Sequence, residues 1–275
     1  MTGRIIRIIS NLYTVDVNGI LHECRARGRF KNDGLTPLVG DIVDITYEDY
    51  IINIHERKNE LTRPNVANID KCIIVSSLTR PDFSAFLLDK MLINVILNDI
   101  KPIIVLTKAD LLTNEEKLQF KPIIDYYNSI GIPTILNTEL EKLDELIASS
   151  TVVLTGQTGV GKSSLLNRLN PNLNLATNDI SEALGRGKHT TRHTELFKYK
   201  TSYIVDTPGF SALDIKRELI DNVRFAFPEF KNEECKFNDC KHLNEKDCQV
   251  LTDLENGLIL KSRYESYKKV VINEK

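Results

Sequence analysis

The chain has 275 residues, of which 41% are apolar and 27% charged, so it can bury a core in two or three domains. No apolar run approaches the roughly 18 residues that span a bilayer, which argues against a membrane-spanning protein and favours a cytoplasmic location. The formal net charge of −2 argues against a general polyanion binder, so any contact with nucleic acid must come from a local basic patch.

The first 62 residues consist of short strand-like runs separated by turns. The predicted strands span residues 4–9, 12–17, 20–27, 41–47 and 51–55. Gly19, the sequence Asn32-Asp33-Gly34 and Pro37 supply turn residues between them. Five short strands predict an all-β barrel over residues 1–62, for which the oligonucleotide-binding (OB) type is the leading example.

Residues 63–215 change to apolar, β-branched runs that alternate with helix-length stretches, which is the pattern of an α/β domain. Buried parallel strands are predicted at 72–75, 103–106, 152–154 and 203–205, with helices at 86–98 and 163–169. Beyond them, helical spacing at 216–227 and 251–271 predicts a third, small unit over residues 216–275.

A glycine-rich loop follows the third of these apolar runs and precedes a helical stretch. It reads Gly156, Gln157, Thr158, Gly159, Val160, Gly161, Lys162 and Ser163, with Ser164 next, and matches G-x-x-x-x-G-K-S. The N–H groups of such a loop and the positive end of the following helix together bind phosphate. Lys162 is expected to reach the β- and γ-phosphates as a catalytic cation, and the Ser163 hydroxyl to ligate Mg²⁺. An ordinary glycine-rich turn is the competing interpretation.

Two further motifs follow predicted strands and narrow the choice of nucleotide. Thr107-Lys108-Ala109-Asp110 places Asp110 where it can accept hydrogen bonds from guanine N1–H and N2–H₂, which adenine cannot offer, so GTP and GDP are expected. The first position of this motif is most often Asn, so Thr107 is a departure. In Asp206-Thr207-Pro208-Gly209, Asp206 is expected to support magnesium and the Gly209 amide to contact the γ-phosphate. The alternatives are a strand-end turn for Thr107–Asp110 and an ordinary β-turn for Asp206–Gly209.

The order of these motifs differs from that of ordinary GTPases, in which the P-loop comes first and the guanine motif last. Here the guanine motif at residue 107 precedes the P-loop at residue 156, and the D-x-x-G motif at residue 206 closes the domain. The sequence therefore predicts a circularly permuted GTPase domain. Permutation is tolerable because domain termini lie at the surface, often close together.

Three of the five cysteines crowd beside a histidine near the C-terminus. Cys235, Cys240, His242 and Cys248 have the spacing C-x4-C-x-H-x5-C. A Cys₃His set closes a tetrahedral shell with no open position, as expected for one structural zinc ion. A chance cluster of thiols and a catalytic zinc are the alternatives.

Together these features resemble the ribosome small-subunit-dependent GTPase A family of bacteria over nearly the whole chain. The resemblance is carried by residues 24–30, 107–110, 156–164, 187–191 and 206–210 and by the four zinc ligands. It implies an OB barrel, a permuted GTPase domain and a zinc domain that bind the 30S subunit and its 16S rRNA during late maturation. A monomer without membrane contact is expected.

This sequence departs from the family pattern in two places. Glu245-Lys246-Asp247 precedes the last zinc ligand, where the family often has Glu-Pro-Gly, and this alters a turn but keeps the ligand count. No Ser-Ala motif that would support guanine is present near residues 135–138, which leaves part of the base pocket unassigned.

Hydrolysis needs an oriented water, which an ordinary GTPase holds with a Gln directly after D-x-x-G. Phe210 has that position here, so slow intrinsic hydrolysis is expected, with a polar group supplied by switch I or arranged by the bound subunit. Residues 185–192 lie where switch I belongs, and Thr191 is favoured over Thr190 as a magnesium ligand. His189 is the candidate that positions water, against the alternatives of an RNA or phosphate contact or a plain loop residue.

A basic residue occupies every second position from 25 to 31: Arg25, Arg27, Arg29 and Lys31. A strand that continued through them would present a basic stripe on one face and Phe30 on the other. OB surfaces commonly combine basic grooves with stacking aromatic residues, so the stripe predicts an RNA contact. A solvated strand face is the alternative.

Two other functions stay open at this point. A nucleotide-gated RNA-binding module, in which hydrolysis is incidental, is compatible with Phe210. A P-loop kinase for a small substrate is disfavoured by the guanine motif at 107–110.

Overall fold

The structure is a computed structural model that describes residues 1–27, 30, 35–62, 64–171, 194–205, 217–231 and 234–273. The chain packs into two compact units. The first contains Met1–Cys72, Leu143–Thr155 and Lys162–Phe210, and the second contains Ile73–Lys142, Gly156–Gly161 and Ser211–Lys275. The predicted domain boundaries after residues 62 and 215 stay predictions. Among the described residues, no helix has both the length and the apolar character needed to cross a membrane.

The N-terminal strands close into a five-stranded barrel, as predicted, in the order β1-β2-β3-β5-β4. They are β1 (Thr2–Ile9), β2 (Leu12–Val17), β3 (Ile20–Ala26), β4 (Ile42–Ile45) and β5 (Tyr50–Ile54). Alternate side chains point inward, so the fully buried core includes Ile5, Val15, Cys24, Val43 and Ile51. Asn18 and Gly19, which both have positive φ, form the tight turn between β2 and β3.

Two barrel strands are shorter than the sequence predicts. β3 ends at Ala26, and the Phe30 N–H donates to the Arg27 carbonyl oxygen at 3.3 Å, which turns the chain. The strand therefore does not continue through the basic stripe. β4 begins after Asp41, because the buried Asp41 carboxylate is held by Arg57 Nε at 2.8 Å in the preceding turn.

A six-stranded sheet has the order β10-β9-β8-β11-β13-β12. Its strands are β8 (Lys71–Ser77), β9 (Lys101–Thr107), β10 (Thr134–Leu136), β11 (Thr151–Thr155), β12 (Leu196–Tyr199) and β13 (Ser202–Val205). β10 is parallel to β9 and β11 to β13, whereas β12 is antiparallel to β13. Four of these strands are the predicted apolar runs, and β10 and β12 are additional. A hairpin of β6 (Glu60–Thr62) and β7 (Asn65–Ala67) lies between barrel and sheet in sequence.

Side chains cap the first turn of two of the described helices, α1 and α2. The described helices are α1 (Ala85–Leu97), α2 (Asn114–Ser129), α3 (Leu140–Ile147), α4 (Lys162–Leu169), α5 (Gln249–Glu255) and α6 (Lys261–Asn273). Ser84 Oγ accepts the Leu87 N–H at 3.4 Å at the start of α1. Thr113 and Glu116 form a capping box at the start of α2.

The C-terminal segment differs from the predicted helices in two places. The stretch predicted as a helix at 216–227 is a 3₁₀ helix over Arg217–Ala226. The predicted helix at 251–271 is two helices, α5 and α6, because the chain turns at Gly257, whose φ is +73°. The helices enclose a core that includes Phe227, Phe230, Tyr264 and Tyr267 beside the three clustered cysteines.

Candidate nucleotide site and metal centre

The glycine-rich loop connects the end of β11 to the start of α4, which is the arrangement that a P-loop requires. Gly156 has a φ of +151°, and a Cβ there would lie 2.3 Å from the Val75 carbonyl oxygen, so no other residue fits without a shift. Within the loop and the first turn of α4, Thr158, Gly159 and Ser164 are exposed, Gln157, Gly161 and Ser163 are partly buried, and Val160 is buried. The loop thus has the glycine-dependent turn of a phosphate-binding segment and an exposed edge.

Lys162 is the first residue of α4 and is partly buried. Burial lowers the pKa of its ammonium group, because desolvation disfavours the charged form. A bound phosphate would oppose this shift, since a nearby anion stabilises the ammonium. The electrostatics at Lys162 therefore favour an anionic ligand.

The guanine motif is hydrogen-bonded to the P-loop by two side chains. Thr107 is buried at the end of β9, and its Oγ1 donates to the Val160 carbonyl oxygen at 2.6 Å. Lys108, in the left-handed conformation with a φ of +62°, donates from Nζ to the Gly159 carbonyl oxygen at 2.7 Å. Thr107 thus makes a direct bond to the P-loop, although the sequence departs from the usual Asn at this position.

The rest of the motif continues in a 3₁₀ turn over Ala109–Leu111. Ala109 is buried, whereas Asp110 is exposed, so its carboxylate is accessible to a ligand. The neighbouring strand β10 ends beside it, with the Asn137 N–H donating to the Leu106 carbonyl oxygen at 2.8 Å. The segment without a Ser-Ala motif therefore lies at the same edge of the sheet as the guanine motif.

A loop for which the sequence predicts no function also lies beside the P-loop. Arg80 and Pro81 follow β8, and the Arg80 carbonyl oxygen accepts a second hydrogen bond from Lys108 Nζ. A Cβ on Gly159 would lie 3.8 Å from Pro81 Cδ. The one indication in the sequence is that this loop follows a buried strand, since ligands of open α/β sheets bind at the carboxyl ends of strands.

Several predicted site residues lie outside the described part of the chain. These are His189, Thr191, Asp206 and Gly209, together with Phe210. Their roles in magnesium binding and hydrolysis stay predictions. β13 ends at Val205, directly before Asp206.

The predicted basic stripe is only partly described. Arg25 and Arg27 are exposed and line a groove of the barrel together with Ile9 and Leu12, whereas Arg29 and Lys31 lie outside the described residues. Phe30 is 5% exposed and belongs to the barrel core. Phe30 thus lies inside the barrel while Arg25 and Arg27 are exposed, as expected for the face opposite the basic residues, and its buried ring offers no surface for base stacking.

The four predicted zinc ligands converge in the C-terminal segment. All four are buried, and their ligand atoms lie within 4.8 Å of one another. Cys235 Sγ lies 3.6 Å from His242 Nδ1 and 3.9 Å from Cys248 Sγ, and His242 Nδ1 lies 3.3 Å from Cys248 Sγ. Tetrahedral Zn²⁺ with bonds of about 2.3 Å holds sulfur ligands about 3.8 Å apart, so this Cys₃His cluster is compatible with zinc.

The protonation chemistry of the cluster also fits a metal ion. Burial raises the pKa of the Cys248 thiol to about 12 and lowers the pKa of His242. A dication would offset the cost of buried thiolates, and neutral imidazole is the form that binds metal.

Side chains from neighbouring elements hold the loop that carries the ligands. Tyr264 Oη donates to the His242 carbonyl oxygen at 2.8 Å, and Arg224 Nη1 donates to the Cys240 carbonyl oxygen at 2.8 Å. The Glu245 carboxylate accepts the N–H of Leu243 at 2.7 Å. The sequence that departs from the family pattern before the last ligand thus still forms an ordered turn.

Two family models match the chain. The RsgA N-terminal domain matches residues 2–50, and the RsgA GTPase model matches residues 54–216, more than half of the chain. The chain belongs to the RsgA GTPase family. It is a GTPase, a hydrolase that acts on GTP, and the family implies a guanine nucleotide and Mg²⁺. Membership confirms the resemblance drawn from the motifs.

Similar proteins cover nearly the whole chain. A Staphylococcus haemolyticus protein is named small ribosomal subunit biogenesis GTPase RsgA. It is 46% identical to this chain over an alignment of 275 residues, and the alignment covers 97% of this chain and 94% of the relative. A relative of the same name from a Geobacillus species is 45% identical over 276 residues, with coverages of 96% and 94%.

Two solved structures have the same fold as this chain. YjeQ from Thermotoga maritima superposes with a TM-score of 0.87 at 33% identity, covering 99% of this chain and 98% of that chain. YloQ, described as a circularly permuted GTPase, gives a TM-score of 0.85 at 33% identity, with coverages of 99% and 94%. These matches confirm the predicted fold class: a barrel, a permuted α/β GTPase domain and a C-terminal unit with a Cys/His cluster.

Proposed function

We propose that this ribosome-biogenesis GTPase binds the 30S subunit, assists its late maturation, and hydrolyses GTP faster on the subunit than alone. The name shared by the relatives supports a small-subunit partner. Nucleotide binding is supported by two hydrogen bonds, from the side chains of Thr107 and Lys108 to carbonyl oxygens of the P-loop. These bonds hold the predicted guanine-binding and phosphate-binding segments side by side.

Two segments, the P-loop and the guanine motif, bind the nucleotide in this proposal. The N–H groups of the P-loop from Gly156 to Ser164 and the Lys162 ammonium bind the phosphates. Asp110 accepts hydrogen bonds from the guanine edge, and Lys108 connects the guanine motif to the P-loop through the Gly159 carbonyl oxygen. The exposure of Asp110 and the lowered pKa of Lys162 support this division.

Ser163 and Thr191 are the proposed ligands of Mg²⁺, with Asp206 supporting the ion and the Gly209 amide contacting the γ-phosphate. Bound magnesium neutralises charge on the phosphates during transfer. Because Phe210 cannot orient water, we expect slow intrinsic hydrolysis. His189, or a group arranged by the subunit, would hold the water.

In this proposal the N-terminal barrel binds the ribosomal subunit, and the C-terminal segment binds a structural metal ion. Arg25 and Arg27, with Arg29 and Lys31, contact 16S rRNA phosphates, which their exposure on the barrel supports. Cys235, Cys240, His242 and Cys248 hold one structural Zn²⁺ that stabilises the C-terminal segment. Because the proposed partner is the 30S subunit, we expect the protein in the cytoplasm. We also expect a monomer, with domains at residues 1–62, 63–215 and 216–275 for RNA binding, GTP hydrolysis and zinc binding.

Single-turnover GTP hydrolysis, titrated with purified 30S, 50S and 70S particles, tests the proposal. We expect 30S particles to raise the rate and 50S particles to leave it unchanged. Lys162→Ala is the control for contaminating GTPases, because it should hydrolyse no GTP on the subunit. A fast rate of the isolated protein that 30S particles do not change contradicts the proposal.

A further inference from the structure

The hairpin of β12 and β13 joins the two segments on which hydrolysis is proposed to depend. β12 begins shortly after the proposed switch I, and β13 ends at Val205, directly before Asp206. β13 also pairs in parallel with β11, with Tyr203 opposite Thr151, and β11 runs into the P-loop. A displacement of this hairpin would therefore move the ends of both proposed switches.

One side chain of the hairpin leaves the sheet and contacts the barrel. Tyr203 Oη donates to Asp16 Oδ2 at 2.7 Å, and Arg4 Cζ lies 5.6 Å from the centroid of the Tyr203 ring. Asp16 is 7% exposed, and its other oxygen accepts the Gly19 N–H of the β2–β3 turn at 2.6 Å. Burial, and then the Asp16 carboxylate, raises the pKa of Tyr203 to about 12, so its hydroxyl keeps the proton that it donates.

A second, weaker contact joins the barrel to the start of the hairpin. Arg7 of β1 and Glu195 form an isolated antiparallel bridge, and Arg7 Nη1 lies 3.9 Å from Glu195 Oε1. Both side chains are more than a third exposed, so this ion pair contributes little. The hydrogen bond to the shielded Asp16 carboxylate is the stronger of the two, because charge-assisted hydrogen bonds gain strength away from water.

We propose that Tyr203 and Asp16 are positioning residues that connect subunit contact at the barrel to the switch segments, and thereby to the rate of GTP hydrolysis. The inference rests on the proposed function, since it needs a 30S subunit that stimulates hydrolysis. A subunit can shift the enzyme toward its active arrangement only by as much as it binds that arrangement more tightly. The Tyr203–Asp16 bond provides a path by which binding energy at the barrel reaches the residues next to Asp206.

The chain contains a matched control in the same hairpin. Tyr199 Oη donates to Asp144 Oδ1 at 2.7 Å, and burial raises its pKa to about 12 as well. Asp144 lies on α3 and not on the barrel. Tyr199→Phe and Tyr203→Phe therefore each remove one hydroxyl from a Tyr–Asp hydrogen bond, but only Tyr203→Phe removes a contact with the barrel.

The experiment compares both variants with the wild type in single-turnover GTP hydrolysis, without and with saturating 30S particles, and in equilibrium binding to 30S particles. For Tyr203→Phe we expect the intrinsic rate and the 30S affinity to stay within about twofold of wild type, and the stimulation ratio to fall at least about fivefold, the lower end of typical coupling energies. Tyr199→Phe should keep the full ratio. Asp16→Asn combined with Tyr203→Phe should be no worse than the more severe single variant, because both weaken one bond.

Two results overturn the inference. One is full stimulation of Tyr203→Phe, and the other is an intrinsic rate that falls as much as the stimulated rate, which indicates a purely structural role. An absence of stimulation in the wild type is a different outcome, because it contradicts the proposed function itself.

Discussion

The guanidinium of Arg263 on α6 lies against Asp89 of α1, with Nη1 2.6 Å from Oδ1, and both side chains are fully buried. Arg263 Nε also lies 2.7 Å from Glu229 Oε1, and Tyr127 Oη donates to Asp89 Oδ1 at 2.7 Å. The guanidinium carbon lies 4.3 Å from the centroid of the Phe227 ring. This network joins the C-terminal helix to α1 and α2 of the nucleotide-binding domain.

Replacing Arg263 with Met should strongly destabilise the protein, because it leaves the carboxylates of Asp89 and Glu229 buried without their partner. Removing one partner of a buried ion pair costs about 3–5 kcal/mol in the free energy of unfolding. Lys121→Ala is the control, since it removes an exposed ion pair with Asp125 on α2 and should cost less than about 1 kcal/mol. Urea unfolding of both variants measures the difference, and equal losses would contradict a buried network.

The same variant should have a steeper pH dependence than the wild type. Burial raises the pKa of Asp89, and Arg263 opposes that shift. Without Arg263 the folded protein favours the protonated carboxyl more strongly. A carboxyl whose pKa is raised on folding stabilises at low pH, and this contribution is lost as the pH rises through the folded pKa. The deficit of Arg263→Met should therefore be larger at pH 8 than at pH 5, and a deficit that grows on acidification would contradict this reasoning.

Thr107→Val should weaken GDP binding, because it removes the hydroxyl that donates to the buried side of the P-loop at Val160. An unsatisfied buried carbonyl costs about 1–2 kcal/mol, which corresponds to about 5- to 30-fold in affinity. Thr107→Ser keeps the donor and should stay within about threefold of wild type. Equilibrium titration with a fluorescent GDP analogue measures both, and equal affinities of the Val and Ser variants would show that the bond does not support the site.

Cys240→Ser should reduce bound zinc well below one ion per chain and lower the thermal stability of the C-terminal segment, because binding of a structural ion contributes to folding. Cys24→Ala is the control, since Cys24 is a buried cysteine of the barrel core and not one of the four proposed ligands. Metal analysis and thermal unfolding should separate the two variants. A wild-type protein without zinc, or a Cys24→Ala variant that loses it, would contradict the assignment.

The sequence predicts those parts of the fold that depend on local pattern. Short strand-like runs separated by turn residues indicate the barrel, and buried apolar runs indicate β8, β9, β11 and β13. β10 has only two apolar residues, and Lys198 interrupts β12, so neither short strand has the continuous apolar run that marks the other four. Helical spacing continues on both sides of Gly257, so the sequence does not predict the break there, although the left-handed conformation of Gly257 ends α5.

In the candidate site, too, the sequence predicts contiguous motifs but not contacts between residues that are far apart in the chain. The P-loop and the guanine motif are contiguous and carry their chemistry in the residue types. Thr107 and Val160 are 53 residues apart, and Tyr203 and Asp16 are 187 apart, so only the folded chain brings each pair together. The basic stripe depends on β3 continuing past Arg27, which residue types alone cannot decide; β3 ends at Ala26, and the Phe30 N–H donates to the Arg27 carbonyl oxygen in a turn.

Replacing Arg25 and Arg27 with Ala should weaken binding to 30S particles and flatten its salt dependence. Each cation that neutralises a phosphate steepens the slope of log K against log salt by about one unit, so the double variant should lose about two. Lys117→Ala with Lys121→Ala removes the same charge from exposed positions on α2 and serves as the control. Binding measured at several salt concentrations distinguishes the two: a local patch predicts a changed slope for the arginine variant alone. Equal slopes in both variants would mean that the barrel arginines bind no phosphate, because a general charge effect would act on both pairs alike.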